Sequence, residues 1–549
     1  SNTAGTDTLS GIEYVEVSPA PVAPVAAFSG TPTSGRAPLT VSFTDTSTDD
    51  PTGWAWFFGD ETYGEPWIEI NASSGWTARN GHRAVTMPDG SIILMGGYDG
   101  TALRNDTWRS TDRGRTWTLM NASSGWTGRI QPGVVVLPDS SILLIGGDDS
   151  TYRNDVWRSD DYGATWTLTS ASSPWWGRWG HTTVAMPDGS IVLMGGFPGM
   201  IRNDTWRSDD YGATWTLMNA SSGWTARWAH TAVAMPDGSI LLMGGYDRSC
   251  RNDVWRSIDC GATWTLVNAS SGWMGRYGHT TVAMPDNSIL VMGEIGMNDT
   301  WHSTDYGVTW TEVNVSSGWT ERRYYSSVAM PGGSVLLMGG VGDDGTRLND
   351  TWQLQPAGSS EQNPSHTYTT PGIYPVTLQA FNAGGHNSTR TIGYITVTPI
   401  AAFGSTPTSG PAPLTVAFTD TSIGSPVAWN WLFGDGKTST EQHPVHTYTL
   451  PGNYSVTLAV DGGLSTVTEP GYISVTPVLF GDANEDGKVN QADTLVVLQE
   501  IVEFREKPAA GTDRFRKTDV NANGAVDVGD ALFIAQYNVG LRGPWFELL

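Results

Sequence analysis

The chain has 549 residues, among them 66 Gly and 26 Trp, with only 15% charged residues and a formal net charge of −25. This length exceeds one ordinary core, so several domains are expected, and the composition fits turn-rich β structure rather than long helices or disorder. The acidity argues against a nucleic-acid partner and suits calcium and a soluble surface, and no run of 18 apolar residues marks a membrane span. The first residue, Ser1, fits a removed export signal.

Residues 1–24 read as a tail carrying one strand-like run, Gly11-Ile-Glu-Tyr-Val-Glu-Val-Ser-Pro19. The run is similar to residues 393–399 and 471–477. Those two segments already serve the bodies they close, so 11–19 is an orphan. It is either the remnant of an upstream domain or a strand that adds to another subunit's sheet.

Residues 26–47 return almost verbatim at 401–422, and Trp54-Ala-Trp56-Phe-Phe-Gly59-Asp60 returns as Trp429-Asn-Trp431-Leu-Phe-Gly434-Asp435. The second copy continues directly to Glu441-Gln-His-Pro and His446-Thr-Tyr448. The first reaches its equivalents only at Glu361-Gln-Asn-Pro and His366-Thr-Tyr368. One copy is therefore split, 25–65 plus 356–399, around an insertion, and the other is continuous over 400–477. These runs resemble PKD domains, small immunoglobulin-like β-sandwiches of extracellular proteins. The resemblance implies a rigid spacer or adhesion module with no catalytic constellation.

The insertion, 66–355, repeats one pattern. Its opening arginine recurs as Arg79, Arg129, Arg178, Arg227, Arg276 and Arg322, at steps of 49 or 50 residues that shorten to 46. Each copy offers four strand-like runs, such as 181–186, 190–194, 203–208 and 214–218, joined by tight Gly-containing turns. This period predicts a six-bladed β-propeller. The sixth copy stops at Asn349-Asp-Thr-Trp352 without its last strand, and that strand stands before the first copy at Trp67-Ile-Glu-Ile-Asn71. The first strand is expected to complete the last blade and close the ring.

Gly-Gly followed by Asn-Asp-x-Trp is similar to kelch repeats. Ser110-x-Asp112-x-Gly114-x-Thr116-Trp117 and its four later copies match the Asp-box of sialidase-like propellers, which in those families is a structural turn. A sialidase-like hydrolase needs an arginine triad, a Tyr–Glu pair and an acid Asp. Here the arginines are six equals, and His82, His181, His230 and His279 recur with Pro132 and Tyr325 in the other two copies. Residues repeated by symmetry read as scaffold. Two irregular carboxylates, Glu294 and Glu321, are the remaining hint of glycosidase chemistry. No catalytic residue is assigned.

Asn-x-Ser/Thr sequons occur at Asn71, Asn105, Asn121, Asn203, Asn219, Asn268, Asn298, Asn314, Asn349, Asn387 and Asn453. Their recurrence at two phases predicts N-linked glycans and an exported surface. Asn also suits turns in its own right. The two cysteines, Cys250 and Cys260, form either a local disulfide or two reduced thiols.

Residues 478–543 carry two loops of calcium-binding spacing, each followed by a helical run. The donors are Asp482, Asn484, Asp486, Asn490 and Asp493 in one and Asp519, Asn521, Asn523, Asp527 and Asp530 in the other, with carbonyls from Lys488 and Ala525. The paired loops resemble dockerin domains, which implies two Ca2+ ions and a cohesin-like partner. Residues 544–549 form an apolar tip.

The expected fold is mostly β: a six-bladed propeller inserted into one sandwich, a second sandwich, and a small α-helical dockerin-like domain. The modules together are similar to those of archaeal, methanogen-type cell-surface proteins. The leading expectation is a secreted, non-enzymatic glycoprotein that assembles with copies of itself into a filament or surface layer. The alternatives are a glycan-binding or glycan-cleaving propeller docked through cohesin, and a cell-surface adhesin.

Overall fold

The computed structural model describes residues 22–294, 296–355, 358–477, 481–484, 488–501 and 517–538. The orphan strand 11–19, the tip 544–549 and the ligand candidate Asp486 lie outside the described residues. The described chain is mostly β strand, with its two α-helices in the C-terminal module. It divides into two compact units, one of residues to Thr33, 41–366 and 374–395, the other of 34–40, 367–373 and 396 onward.

In the first unit the repeats form six antiparallel sheets, five of them of four consecutive strands. Blade three is Thr182–Ala185, Ile191–Gly196, Arg202–Ser208 and Thr216–Asn219. Its second strand is an unbroken apolar run because neighbouring blades cover both faces of the sheet. Ile191 and Leu193 pack toward blade two, against Val135, Leu143 and Trp175. Val192 and Met194, one residue out of phase, pack toward blade four, against Trp224, Ile240 and Leu242. Period-two alternation thus divides one strand between two inter-blade cores. Burial of each such side chain stabilises the ring by roughly 1.5–3 kcal/mol.

The glycine pairs that end these strands are required by sterics. Gly97 has φ +96°, and a Cβ there would lie 2.9 Å from Cβ of His82. Blade five has Glu294 at this place. Its connection to the next strand is shorter, and Glu294 pairs with Met297 in extended backbone instead.

The inner strands close into a ring, Ser326–Ala329 of blade six lying beside Arg83–Thr86 of blade one. Ile68–Asn71 forms the outermost strand of blade six, with Thr351 opposite Asn71 and Trp352 opposite Glu69. Trp67 meets Trp319 edge-on at 6.3 Å, as Trp117 meets Trp76 at 6.2 Å in blade one.

The first sandwich has one sheet of Phe28–Thr31, Leu39–Asp45 and Ser365–Tyr368. Its other sheet holds Ser34–Arg36, Gly385–Thr398, Gly372–Asn382 and Gly53–Phe57. Gly53–Phe57, just before the insertion, pairs with Gly372–Asn382, just after it. The cut can be placed by side chains. His366 reaches Asp60 at 2.9 Å across 306 residues, while His446 reaches Asp435 at 2.8 Å across 11. Trp56 donates to the Glu361 carbonyl as Trp431 does to that of Glu441. At the joint, Tyr63 is buried and donates to Asp286 at 3.1 Å, and Gln379 donates to the Pro331 carbonyl at 2.6 Å. Ala55 and Phe57 share a core with Val335 and Leu337 of blade six.

The second unit contains the continuous sandwich, built on Trp431, Phe418, Val456 and Leu458. Its C-terminal module pairs α1 (Gln491–Ile501) with α2 (Val528–Asn538) over Val497, Val520 and Ile534. No helix among the described residues is long and apolar enough to cross a membrane.

Candidate functional sites

The repeat arginines are buried ion-pair anchors. Arg178 Nη1 and Nη2 donate to the two carboxylate oxygens of Asp204 at 2.6 and 2.9 Å, and Nη1 also donates to the Gly195 carbonyl at 2.8 Å. The same pairing joins Arg79 to Asp106, Arg129 to Asp155, Arg227 to Asp253, Arg276 to Asp299 and Arg322 to Asp350. Each aspartate also accepts the indole N–H of the Trp two residues on, such as Trp206. Burial alone would raise Asp204, but hydrogen bonds and charge from Arg178 outweigh it and hold its carboxyl below the usual range. Arg178's own backbone bonds to the preceding blade, its N–H to the Arg153 carbonyl and its carbonyl to the Gly147 N–H. Each arginine therefore ties one blade to the next, and none of the six presents a free guanidinium to a substrate.

The recurrent histidines are likewise enclosed. Burial, then the nearby repeat arginine, lowers His82 and His230 to about 3. The same two causes hold His181 and His279 well below the ordinary value. Tyr325 takes the histidine's place in blade six and donates to the Met292 carbonyl at 2.6 Å. The Asp-boxes act as turn locks: Asp112 accepts from the Thr116 N–H at 2.8 Å and from the Ser110 hydroxyl at 2.9 Å.

Burial pushes Glu294 up to about 7, against the pull of Arg276 and Arg323. Glu321 is exposed and shares no hydrogen bond with Glu294. A second perturbed carboxyl escaped the sequence reading. Glu61, at the entry to the insertion, rises to about 7 through burial. Its carboxylate accepts the Phe58 and Gly59 N–H groups, so it caps the cut loop of the sandwich. Only its place beside the duplicated Gly-Asp marked it in sequence.

Cys250 and Cys260 are free thiols, one exposed and the other half-buried. The disulfide left open by the sequence is not formed. Val254–Ser257 runs between the two cysteines, and they have different surroundings: Cys250 lies against Gly275 and Cys260 beside Arg207.

The sequons divide by what their amides do. In the Asn-Asp-Thr phase, Nδ2 of Asn105 donates to Ser123 Oγ and the Trp126 carbonyl, and Asn203, Asn298 and Asn349 repeat the pattern. Asn154 and Asn252 make the same bonds without being sequons. In the other phase Asn71, Asn121, Asn219 and Asn268 each donate one bond, to a carbonyl of the following Asp-box turn. Asn387 and Asn453 are exposed.

In the C-terminal module the two loops share one hydrogen-bond plan. Asp493 accepts the Asn484 and Asn490 N–H groups at 3.0 and 2.7 Å, and Asp530 accepts those of Asn521 and Asp527 at 3.1 and 2.8 Å. Asp493 and Asp530 are fully buried, and Asp482 and Asp519 nearly so. Burial raises the Asp530 carboxyl, with Asp519 and Asp527 adding to it, against its two backbone N–H bonds. No basic side chain pairs with Asp519, Asp527 or Asp530 among the described residues. No group of three or more acidic, His or Cys side chains suited to a metal forms among the described residues either. The donors are mixed: carboxylates, asparagine amides and a backbone carbonyl. This all-oxygen set with buried carboxylates fits a hard cation such as Ca2+.

The fold defines a modular protein: a β-propeller inserted into one immunoglobulin-like sandwich, a second sandwich, and a small module of two helices with two acidic loops. Family models agree on the modules. PKD-domain models match residues 323–392 and 396–475, and a dockerin type I domain model matches 480–537. The chain thus contains two PKD domains and a type I dockerin domain. The first PKD match begins inside blade six, because a linear model cannot reach residues 26–57 across the insertion. A solved structure titled "Structure of YjhT" is similar at 17% identity and TM-score 0.42, over 52% of this chain and 96% of that one.

Proposed function

We propose that the chain is an exported, non-enzymatic modular protein that its dockerin domain holds, with calcium, on a cohesin-bearing partner. The observation that carries this reading is the duplicated loop: two copies of one hydrogen-bond plan, each centred on a fully buried aspartate, packed through α1 and α2. Two ions are assigned, one held by Asp482, Asn484, Asp486, Asn490, Asp493 and the Lys488 carbonyl. The other is held by Asp519, Asn521, Asn523, Asp527, Asp530 and the Ala525 carbonyl. Bound calcium neutralises the converging carboxylates, and the paired helices then offer a rigid face to the partner.

The propeller serves as a body rather than a catalyst, since its six arginines are consumed in ion pairs and its histidines stay neutral. N-linked glycans occupy Asn71, Asn121, Asn219, Asn268, Asn314, Asn387 and Asn453. The Asn-Asp-Thr sequons stay bare, because both hydrogens of their amides are engaged and a sugar displaces one bond. Calorimetric titration of the full chain with a type I cohesin tests the reading. Binding is expected with calcium and not with EDTA, and binding insensitive to EDTA overturns it.

A further inference from the structure

Blade one breaks the six-fold pattern at a place that carries chemistry. The inner-strand position held by Thr182, Thr231, Thr280 and Ser326 in blades three to six is Arg83 in blade one. Arg83 lines a cavity of about 200 Å³ on the ring axis, together with those hydroxyl residues, and no carboxylate lines it. Its Nε donates to the Pro132 carbonyl at 3.0 Å. Among the described residues no aspartate or glutamate pairs with it, whereas each of the six repeat arginines has one.

The mouth of the cavity is irregular as well. A girdle of backbone bonds surrounds the axis, for example Gln131 N–H to the Gly81 carbonyl at 2.7 Å and Tyr324 N–H to the Gly278 carbonyl at 2.8 Å. The girdle position is left-handed, and glycine holds it at Gly81, Gly180 and Gly278. Gln131, Ala229 and Tyr324 stand there with φ +47°, +50° and +54°. Gln131 is only 3% exposed, and its side-chain amide has no hydrogen-bond partner among the described residues. Gly133, in the next blade, keeps the space open: a Cβ there would lie 2.6 Å from Thr183.

We propose that this axial cavity is an oxoanion site, in which the Arg83 guanidinium and the Gln131 amide bind a sulfate, phosphate or carboxylate group, while the hydroxyls of Thr182, Thr231 and Thr280, already bonded to His230, His279 and Ser327, line its wall. A guanidinium with unused N–H donors, in a cavity that no carboxylate lines, is suited to a compact anion. Trp179, Trp228 and Tyr277 directly precede the girdle residues Gly180, Ala229 and Gly278, and their successive ring centroids are 4.8 and 5.6 Å apart. They offer apolar faces to a sugar ring if the anion is borne on one. The site is independent of the docking module.

Calorimetric titration of the full chain with sodium sulfate, sodium phosphate and sodium glucuronate, chloride making up the ionic strength, tests the site. One saturable site per chain is expected. R83T, which installs the residue of blades three to five, is expected to weaken binding at least about tenfold, since it removes the charge-assisted bonds. Q131G, the residue of blades one, three and five, is expected to weaken it as well. Preference for sulfate or phosphate identifies a free inorganic ion, and preference for glucuronate a sugar-borne acid. No saturation by any of the three, or unchanged binding in folded R83T, overturns the proposal. If R83T does not fold, unchanged binding in Q131G and R83K overturns it.

Discussion

A single residue type, the repeat arginine, governs how the ring is held. Removing one partner of its ion pair strands a buried charge. Arg178→Met is expected to cost about 3–5 kcal/mol, read as a loss in denaturant midpoint. Arg178→Met with Asp204→Leu is expected to recover most of that loss, because the stranded carboxylate goes too. The histidines set a pH limit. His82 and His230 sit near 3 in the fold against an ordinary 6.5, so unfolded chain binds protons that folded chain refuses. Their contribution is complete above pH 6.5 and is lost as pH falls toward 3. The melting temperature is expected to fall steadily across that window, and a flat profile between pH 7 and 4 would contradict it. Glycopeptide mass spectrometry should find sugar at Asn121 and Asn219 and none at Asn105 and Asn203. At this scale the sequence revealed the recurrence of Arg, His and Asp but not who pairs with whom. It also concealed Arg83, since a search for sameness passes over the one copy that departs.

At the scale of elements, the closing strand and the calcium loops are the parts whose loss should be felt most. Trp67 is 5% exposed and packs on Trp319 in the core that joins ring and sandwich. Trp67→Ala is expected to cost about 3–5 kcal/mol, with ring opening detectable as faster proteolysis. EDTA is expected to diminish the far-UV helical signal of α1 and α2 while the ring keeps its melting temperature. The strand exchange and the split sandwich were legible because both leave a gap in one copy and a matching surplus elsewhere. The pairing of Cys250 with Cys260 was left open because spacing alone carries no direction. A four-residue strand between them holds them apart, where a turn would have brought them together.

The molecule as a whole reads as a symmetric body with its work at asymmetric places. The ring's regularity is explained by packing: each blade needs the same anchor, the same turn lock and the same two-faced strand. The departures from regularity include Arg83 and Gln131 on the axis, Glu294 in blade five and the joint at Glu61 and Tyr63. The docking module stands outside the repeat altogether, and it carries the central claim. Light scattering after size exclusion of the full chain, alone and with a type I cohesin, tests that claim most directly. The account predicts a single species of about 59 kDa plus attached sugar. It predicts a one-to-one complex with cohesin when calcium is present, reversed by EDTA. Large homo-oligomers without cohesin, or no complex in saturating calcium, would contradict it.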